Sequence, residues 1–220
     1  ETLLAEDSAH ADQAAYDYLL LADDARRRGD GYGIARAAEA ALALRPALDL
    51  SGLTDQLAQY YEQTASAEQA IAYYERTLAN ASPEDAPPLL YRMGRLLADA
   101  EDCARATPYL RAYLARAPSG PRVGDARWNL GNCAFLEARA AHRAGNPTRA
   151  LEQLEVVLGL GVPENILDQA WFLKGEILYS LGRPDEAMPA YQRVLELNPS
   201  RTGQLVDRAQ RQIDRIRFGN

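Results

Sequence analysis

Residues Asp168–Ser200, DQAWFLKGEILYSLGRPDEAMPAYQRVLELNPS, decide the fold. Trp171, Gly175 and Leu178 recur at alternating four- and three-residue spacing before Gly182. Ala187, Tyr191 and Val194 repeat that rhythm before Pro199. A 3.6-residue period broken once by glycine and once by proline predicts two antiparallel helices joined by a tight turn.

The order helix, turn, helix, proline recurs upstream. A helix is expected from a cap at Asp7 or Ser8 to Arg28, after a short frayed lead-in over 1–7. Gly29-Asp30-Gly31 ends it, and a second helix runs to Leu44 before Pro46. Then come Leu53–Thr64, a turn at Ala65-Ser66, and Ala67–Asn80. Pro88–Ala100 and Cys103–Arg116 follow, then Asp125–Ala144 and Thr148–Leu160.

Register tests the repeat. In the first helix of each pair a small residue falls at Ala22, Ala58, Gly94, Gly131 and Gly175, at intervals of 36, 36, 37 and 44. The matching slot of the second helix holds Ile34, Ala70, Ala106, Ala150 and Ala187. Slot to slot is 12 residues except in the fourth pair, where it is 19. Small residues let two helices cross closely, and Tyr74, Leu110, Leu154 and Tyr191, four positions on, fill the space beside the crossing. The seven extra residues, LEARAAH, add nearly two turns and keep the apolar face in register. The first helix of the fourth pair is therefore expected to be two turns longer than its sisters, as a solvent extension or a projection toward a partner. Pro108 and Pro189, each two residues past the small slot, are expected to bend their helices.

This pattern resembles the tetratricopeptide repeat, a helix-turn-helix unit of roughly 34 residues. The resemblance covers about 15–200 and is strongest in the fifth pair. It implies an all-α fold, an α-solenoid in which the repeats form a right-handed superhelix. One domain over 1–220 is expected, with repeats at about 15–48, 51–84, 87–120, 124–164 and 168–201. Leu205, Ala209, Ile213 and Ile216 form an apolar stripe for a capping helix over 202–217, on which Arg208, Arg211 and Arg215 read as a solvated face.

The resemblance also implies a concave groove, lined by first helices, that binds a peptide or protein as an adaptor in a bacterial assembly. Positions three before, one after and four after each small residue lie on one helical stripe. The stripe gives Leu19, Asp23, Arg26 and then Asp55, Gln59, Glu62 in the first two pairs. Candidate partner-binding residues come from the later ones: Tyr91, Arg95, Trp128, Asn132, Phe135, Phe172, Glu176 and Tyr179. The aromatic half suits a segment with aliphatic or aromatic anchors, while any single ring has the alternative of packing in the core. Asn129 and Asn132 lack the neighbouring basic residues of a carboxylate clamp.

Composition narrows the field. The chain has 220 residues, 47% of them hydrophobic, and a formal net charge of −7. That balance argues against a general nucleic-acid binder. No run of 18 uncharged apolar residues marks a membrane span. Cys103 and Cys133 form no CxxC pair, and His10 and His142 are scattered, so no metal site is expected. The cysteines read as two small buried hydrophobes, or as a disulfide between neighbouring repeats in an extracytoplasmic protein. No nucleophile motif or phosphate-binding glycine loop occurs. Asp23-Asp24 and Glu101-Asp102 point their carboxylates to different helix faces. No catalytic residue and no cofactor are expected. A self-associating module and a ligand-sensing fragment of a larger protein are the other readings. The chain opens on Glu1, so a processed or excised form is expected. A periplasmic protein, a membrane-associated lipoprotein and a cytoplasmic fragment all fit.

Overall fold

In the computed structural model, residues 2–50, 52–64, 66–200 and 202–219 are described, with side chains from residue 10 onward. Among them every regular element is helical. The α-helices are α1 (Thr2–Arg28), α2 (Gly31–Leu44), α3 (Thr54–Gln63), α4 (Ala67–Asn80), α5 (Ala86–Asp99) and α6 (Cys103–Arg116). They continue with α7 (Val123–Arg143), α8 (Pro147–Leu160), α9 (Leu167–Ser180), α10 (Pro184–Leu197) and α11 (Gln204–Phe218). The chain forms two compact units, 1–96 and 97–220, divided within α5.

Most helix ends follow the sequence signals. Asp30, Asp102 and Asn146 cap α2, α6 and α8 by accepting from the amides of Gly33, Arg105 and Arg149. Gly29, Gly145 and Gly182 take positive φ values of 70°, 72° and 71° after α1, α7 and α9, which costs a residue without Cβ little. One boundary differs. Helix α1 already runs from Thr2, so positions 7 and 8 lie inside it and neither caps it; Glu1 lies outside the described residues. Of the Ala65-Ser66 turn, only Ser66 is described, at the N-cap of α4.

The first unit is built on small contacts. Ala15, Ala22 and Ala25 of α1 meet the face of α2 carrying Ile34, Ala38 and Ala41, all buried. Bulk enters with α3 and α4. Leu57 and Ala58 are buried with Ala70, Ile71 and Tyr74, and Tyr61 stacks on Tyr73 with ring centroids 5.5 Å apart.

The second unit has two cores. One joins α7, α8 and α9 through Ala134, Phe135, Ala138, Leu154, Val157 and Ile177. The other joins α9, α10 and α11 through Phe172, Tyr191, Val194, Ala209 and Ile213. Helix α7 has 21 residues against 14 for α9, so the seven extra residues are two added turns. Pro108 and Pro189 lie inside α6 and α10 on exposed faces.

Small residues at the first-helix slots meet different neighbours. A Cβ on Gly175 would stand 2.7 Å from the ring of Tyr191, its own pair partner. A Cβ on Gly131 would stand 1.9 Å from the carbonyl oxygen of Val162, in the connection between α8 and α9. That connection holds a cis Val162–Pro163 bond and a 3-10 turn over Glu164–Ile166, neither of which the periodicity announces.

Cys103 and Cys133 are joined by a disulfide, Cα to Cα 5.0 Å, tying the first residue of α6 to the middle of α7. The reading of two separate buried hydrophobes gives way to this bond, although both side chains are indeed buried.

Two stability predictions follow from these contacts. Gly131→Ala should lose more stability than Gly175→Ala, by about 1–3 kcal/mol or more in urea unfolding, because a backbone carbonyl has less room to yield than a ring. Equal losses would locate the constraint elsewhere. The disulfide closes a loop with sequence separation 30, for which chain entropy gives roughly 3–4 kcal/mol. Cys103→Ser with Cys133→Ser should lower the melting temperature by several degrees, and an unchanged value would exclude the bond.

Candidate partner-binding surface

The eight stripe residues divide by unit. In the first, Tyr91 and Arg95 lie on α5, both half-buried. Arg95 ion-pairs with Glu62 of α3. One turn earlier, Arg92 donates to Asp55 of α3 at 3.5 Å and to the Tyr74 hydroxyl at 3.2 Å. Tyr74 in turn donates to Glu62 at 2.7 Å. The stripe positions of α3 and α5 thus meet each other across a polar seam.

In the second unit the stripe runs along α7 and α9. Phe135 and Phe172 are each only 5% exposed, so a partner reaches neither ring without displacing a neighbour. Phe135 packs in the α7–α9 core, with the Arg139 guanidinium 5.8 Å from its centroid. Phe172 is covered by α11, whose Arg208 stands 4.5 Å from the ring centroid. Tyr179 packs partly against the same cluster. The physical reason is the position of α11, which takes the place of a following first helix and covers the stripe of the one before it.

Glu176 is the polar centre of that contact. Its carboxylate accepts from the Tyr191 hydroxyl at 3.3 Å and the Gln212 amide at 3.2 Å, and Arg208 lies at 3.5 Å. Arg208, read from sequence as part of a solvated face, is therefore engaged. Gln212 was missed altogether. The signal was present in the Leu205–Ile216 stripe, which implies a helix seated on α9.

Trp128 and Asn132 behave differently. Trp128 is 47% exposed near the start of α7, and Asn132, one turn on, is half-buried. Beneath them Asn129 donates to the Asp125 carbonyl at 2.9 Å, which satisfies its buried amide. The other indole, Trp171, is half-buried beside Lys174, whose ammonium lies 5.0 Å from the ring and 2.6 Å from Glu155.

Among the described residues no group of three or more His, Cys, Asp or Glu gathers to hold a metal ion, and no helix is long and apolar enough to cross a membrane. Burial, reinforced by the Glu62 and Glu176 carboxylates, raises the phenols of Tyr74 and Tyr191 above the ordinary tyrosine value.

Stacked helical hairpins with small residues at their crossings, closed by an extra helix, define a helical-repeat protein. The tetratricopeptide repeat family model matches residues 91–137 and 135–202, just over half of the chain, and the chain belongs to that family. A TPR repeats protein from Bacteroides fragilis NCTC 9343 is similar over 94% of this chain and 99% of its own, at 12% identity and a TM-score of 0.51; that likeness bears on the fold. MamA from Desulfovibrio magneticus RS-1 matches 86% of this chain and 98% of its own at 18% identity and a TM-score of 0.40. Another MamA structure matches 87% and 95% at 19% and 0.43. No curated protein matches the chain.

The raised phenols set a pH dependence. A tyrosine whose native pKa is raised contributes stability in full below its ordinary value of 10.0. That contribution is lost as the pH climbs from there toward the raised native values. Urea unfolding at pH 8 and pH 11 should show a fall at the higher pH. Tyr74→Phe with Tyr191→Phe should shrink that fall; an undiminished fall would show that other groups cause it.

Proposed function

We propose that this chain is a non-catalytic scaffold that binds a peptide or protein segment against the exposed face of α7, with Trp128 as anchor and Asn132 as its polar neighbour. The observation that carries the reading is the 47% exposure of Trp128, on a stripe whose other rings in this unit are covered by core or by α11. A large ring held on a rigid helix loses little entropy on contact, and such rings dominate binding energy at interfaces. Family membership supports the reading, because arrays of this kind bury their apolar faces between repeats and leave a helix surface for partners. In the first unit, Tyr91 and Arg95 offer a separate contact of the same register. The Cys103–Cys133 bond supports an oxidising compartment for the scaffold.

Peptides selected from a displayed library on the immobilised chain provide the test. Their affinity for Trp128→Ala should fall by about thirtyfold, the loss expected of an interface hot spot, while far-UV circular dichroism stays unchanged. Selected peptides that bind Trp128→Ala as tightly as the parent chain would overturn the assignment.

A further inference from the structure

We propose that the Cys103–Cys133 bond is a redox latch on the first turn of α6. A dithiol reductant that opens it frees residues 101–107, while the rest of the second unit stays folded. The turn before α6 is strained. Among the described residues Glu101 is the one non-glycine at positive φ, 57°. The corresponding turns after α1, α7 and α9 hold Gly29, Gly145 and Gly182. Hydrogen bonding sets the correspondence: Asp102 donates to the Leu97 carbonyl as Asp30, Asn146 and Arg183 donate to those of Ala25, Ala141 and Leu178. A side chain in this left-handed region carries a cost that glycine escapes.

The helix start itself is thinly held. The Arg105 amide stands 3.3 Å from its Asp102 cap, against 2.9 Å and 3.1 Å for the caps of α2 and α8. Pro108 has no N–H, so the Ala104 carbonyl receives no helical bond from that position. Burial adds little. Of residues 101–107 only Cys103 and Ala106 are buried, and one alanine side chain withdraws little apolar area from water. Beyond Pro108 the hold is firmer, with Leu110 and Tyr113 buried and the Tyr113 hydroxyl accepting from the Arg122 amide at 3.0 Å. Helix α10 offers a comparison. It carries Pro189 at the matching place, but it follows Gly182 and contains no cysteine.

The bond supplies what the turn lacks, because it ties Cys103, the first residue of α6, to Cys133 in the middle of α7. Its cleavage is a two-step exchange. A thiolate of the reductant attacks the Cys103 sulfur, and the Cys133 sulfur leaves and takes a proton. The reductant's second thiol then displaces Cys103 and closes its own disulfide, so two electrons and two protons reach the pair. Attack falls on Cys103 because it is 5% exposed and lines a groove of about 540 Å³ between α6, α7 and α8, whereas Cys133 is 0% exposed. Five of residues 101–107 line that groove, so opening the latch remakes this surface. Such local opening, below the free energy of global unfolding, is how one segment of a folded chain is switched.

The test is amide hydrogen exchange followed by NMR on the full chain, oxidised and after treatment with excess dithiothreitol. Mass spectrometry checks that both thiols have gained hydrogen. On reduction the amides of Arg105, Ala106 and Thr107 should exchange faster by about tenfold or more. Those of 109–116, of α7 and of the first turn of α10 should change far less. Glu101→Gly with Pro108→Ala relieves the turn and restores the missing donor, and this variant should show little of the rise. The proposal is overturned if the folded chain stays oxidised, or if 105–107 exchange alike in both states. A comparable rise throughout α6 and α7 overturns it too, since the bond then secures the unit as a whole. So does a full rise in the double variant, which would place the weakness elsewhere.

Discussion

Close approach at one small residue governs the second unit. Gly131 lies against the Val162 carbonyl, with no room for a Cβ between them. That contact fixes where the connection after α8 passes over α7, and hence where α9 begins. From α9 the order propagates, because Gly175 admits the Tyr191 ring and Tyr191 reaches Glu176. Glu176 then holds α11 through Gln212 and Arg208. Each step needs the preceding one in place, which is how a stack of individually unstable hairpins acquires a single structure.

Polar groups are used in a repeated way. In each unit a buried second-helix tyrosine donates to a carboxylate on the first helix of its own pair, Tyr74 to Glu62 and Tyr191 to Glu176. The carboxylate then meets a cation or amide on the next helix of first-helix register, Arg95 on α5 or Arg208 and Gln212 on α11. The hydroxyl of a large buried ring is thereby satisfied, and neighbouring hairpins gain a directional tie that apolar packing alone lacks.

The helices themselves were legible because their signals are local. Period, caps, glycines and prolines gave the boundaries of α2, α4, α6, α8, α9 and α10 to within a residue or so, and the seven-residue offset announced the longer α7. The start of α1 was misplaced, since Asp7 and Ser8 are good caps in isolation and nothing local forbids the helix from passing through them. The disulfide was open as an alternative only, because pairing depends on the tertiary distance between α6 and α7. The candidate surface was the least legible part. Helical register correctly groups Phe172, Glu176 and Tyr179 on one face, but register does not say what covers that face. The covering group is α11, some thirty residues downstream, so Phe172 became core while Trp128, without such a cover, stayed open.

The covalent tie between α6 and α7 has a mechanical consequence. A chain pulled from its ends lengthens as each hairpin unravels, releasing roughly 3.4 Å per residue. The segment between Cys103 and Cys133, with sequence separation 30, is shunted by the bond and bears no load. Roughly 100 Å of contour therefore stays hidden until the sulfurs part. Under tension the array extends in two regimes, and the redox state of its surroundings selects its maximum reach.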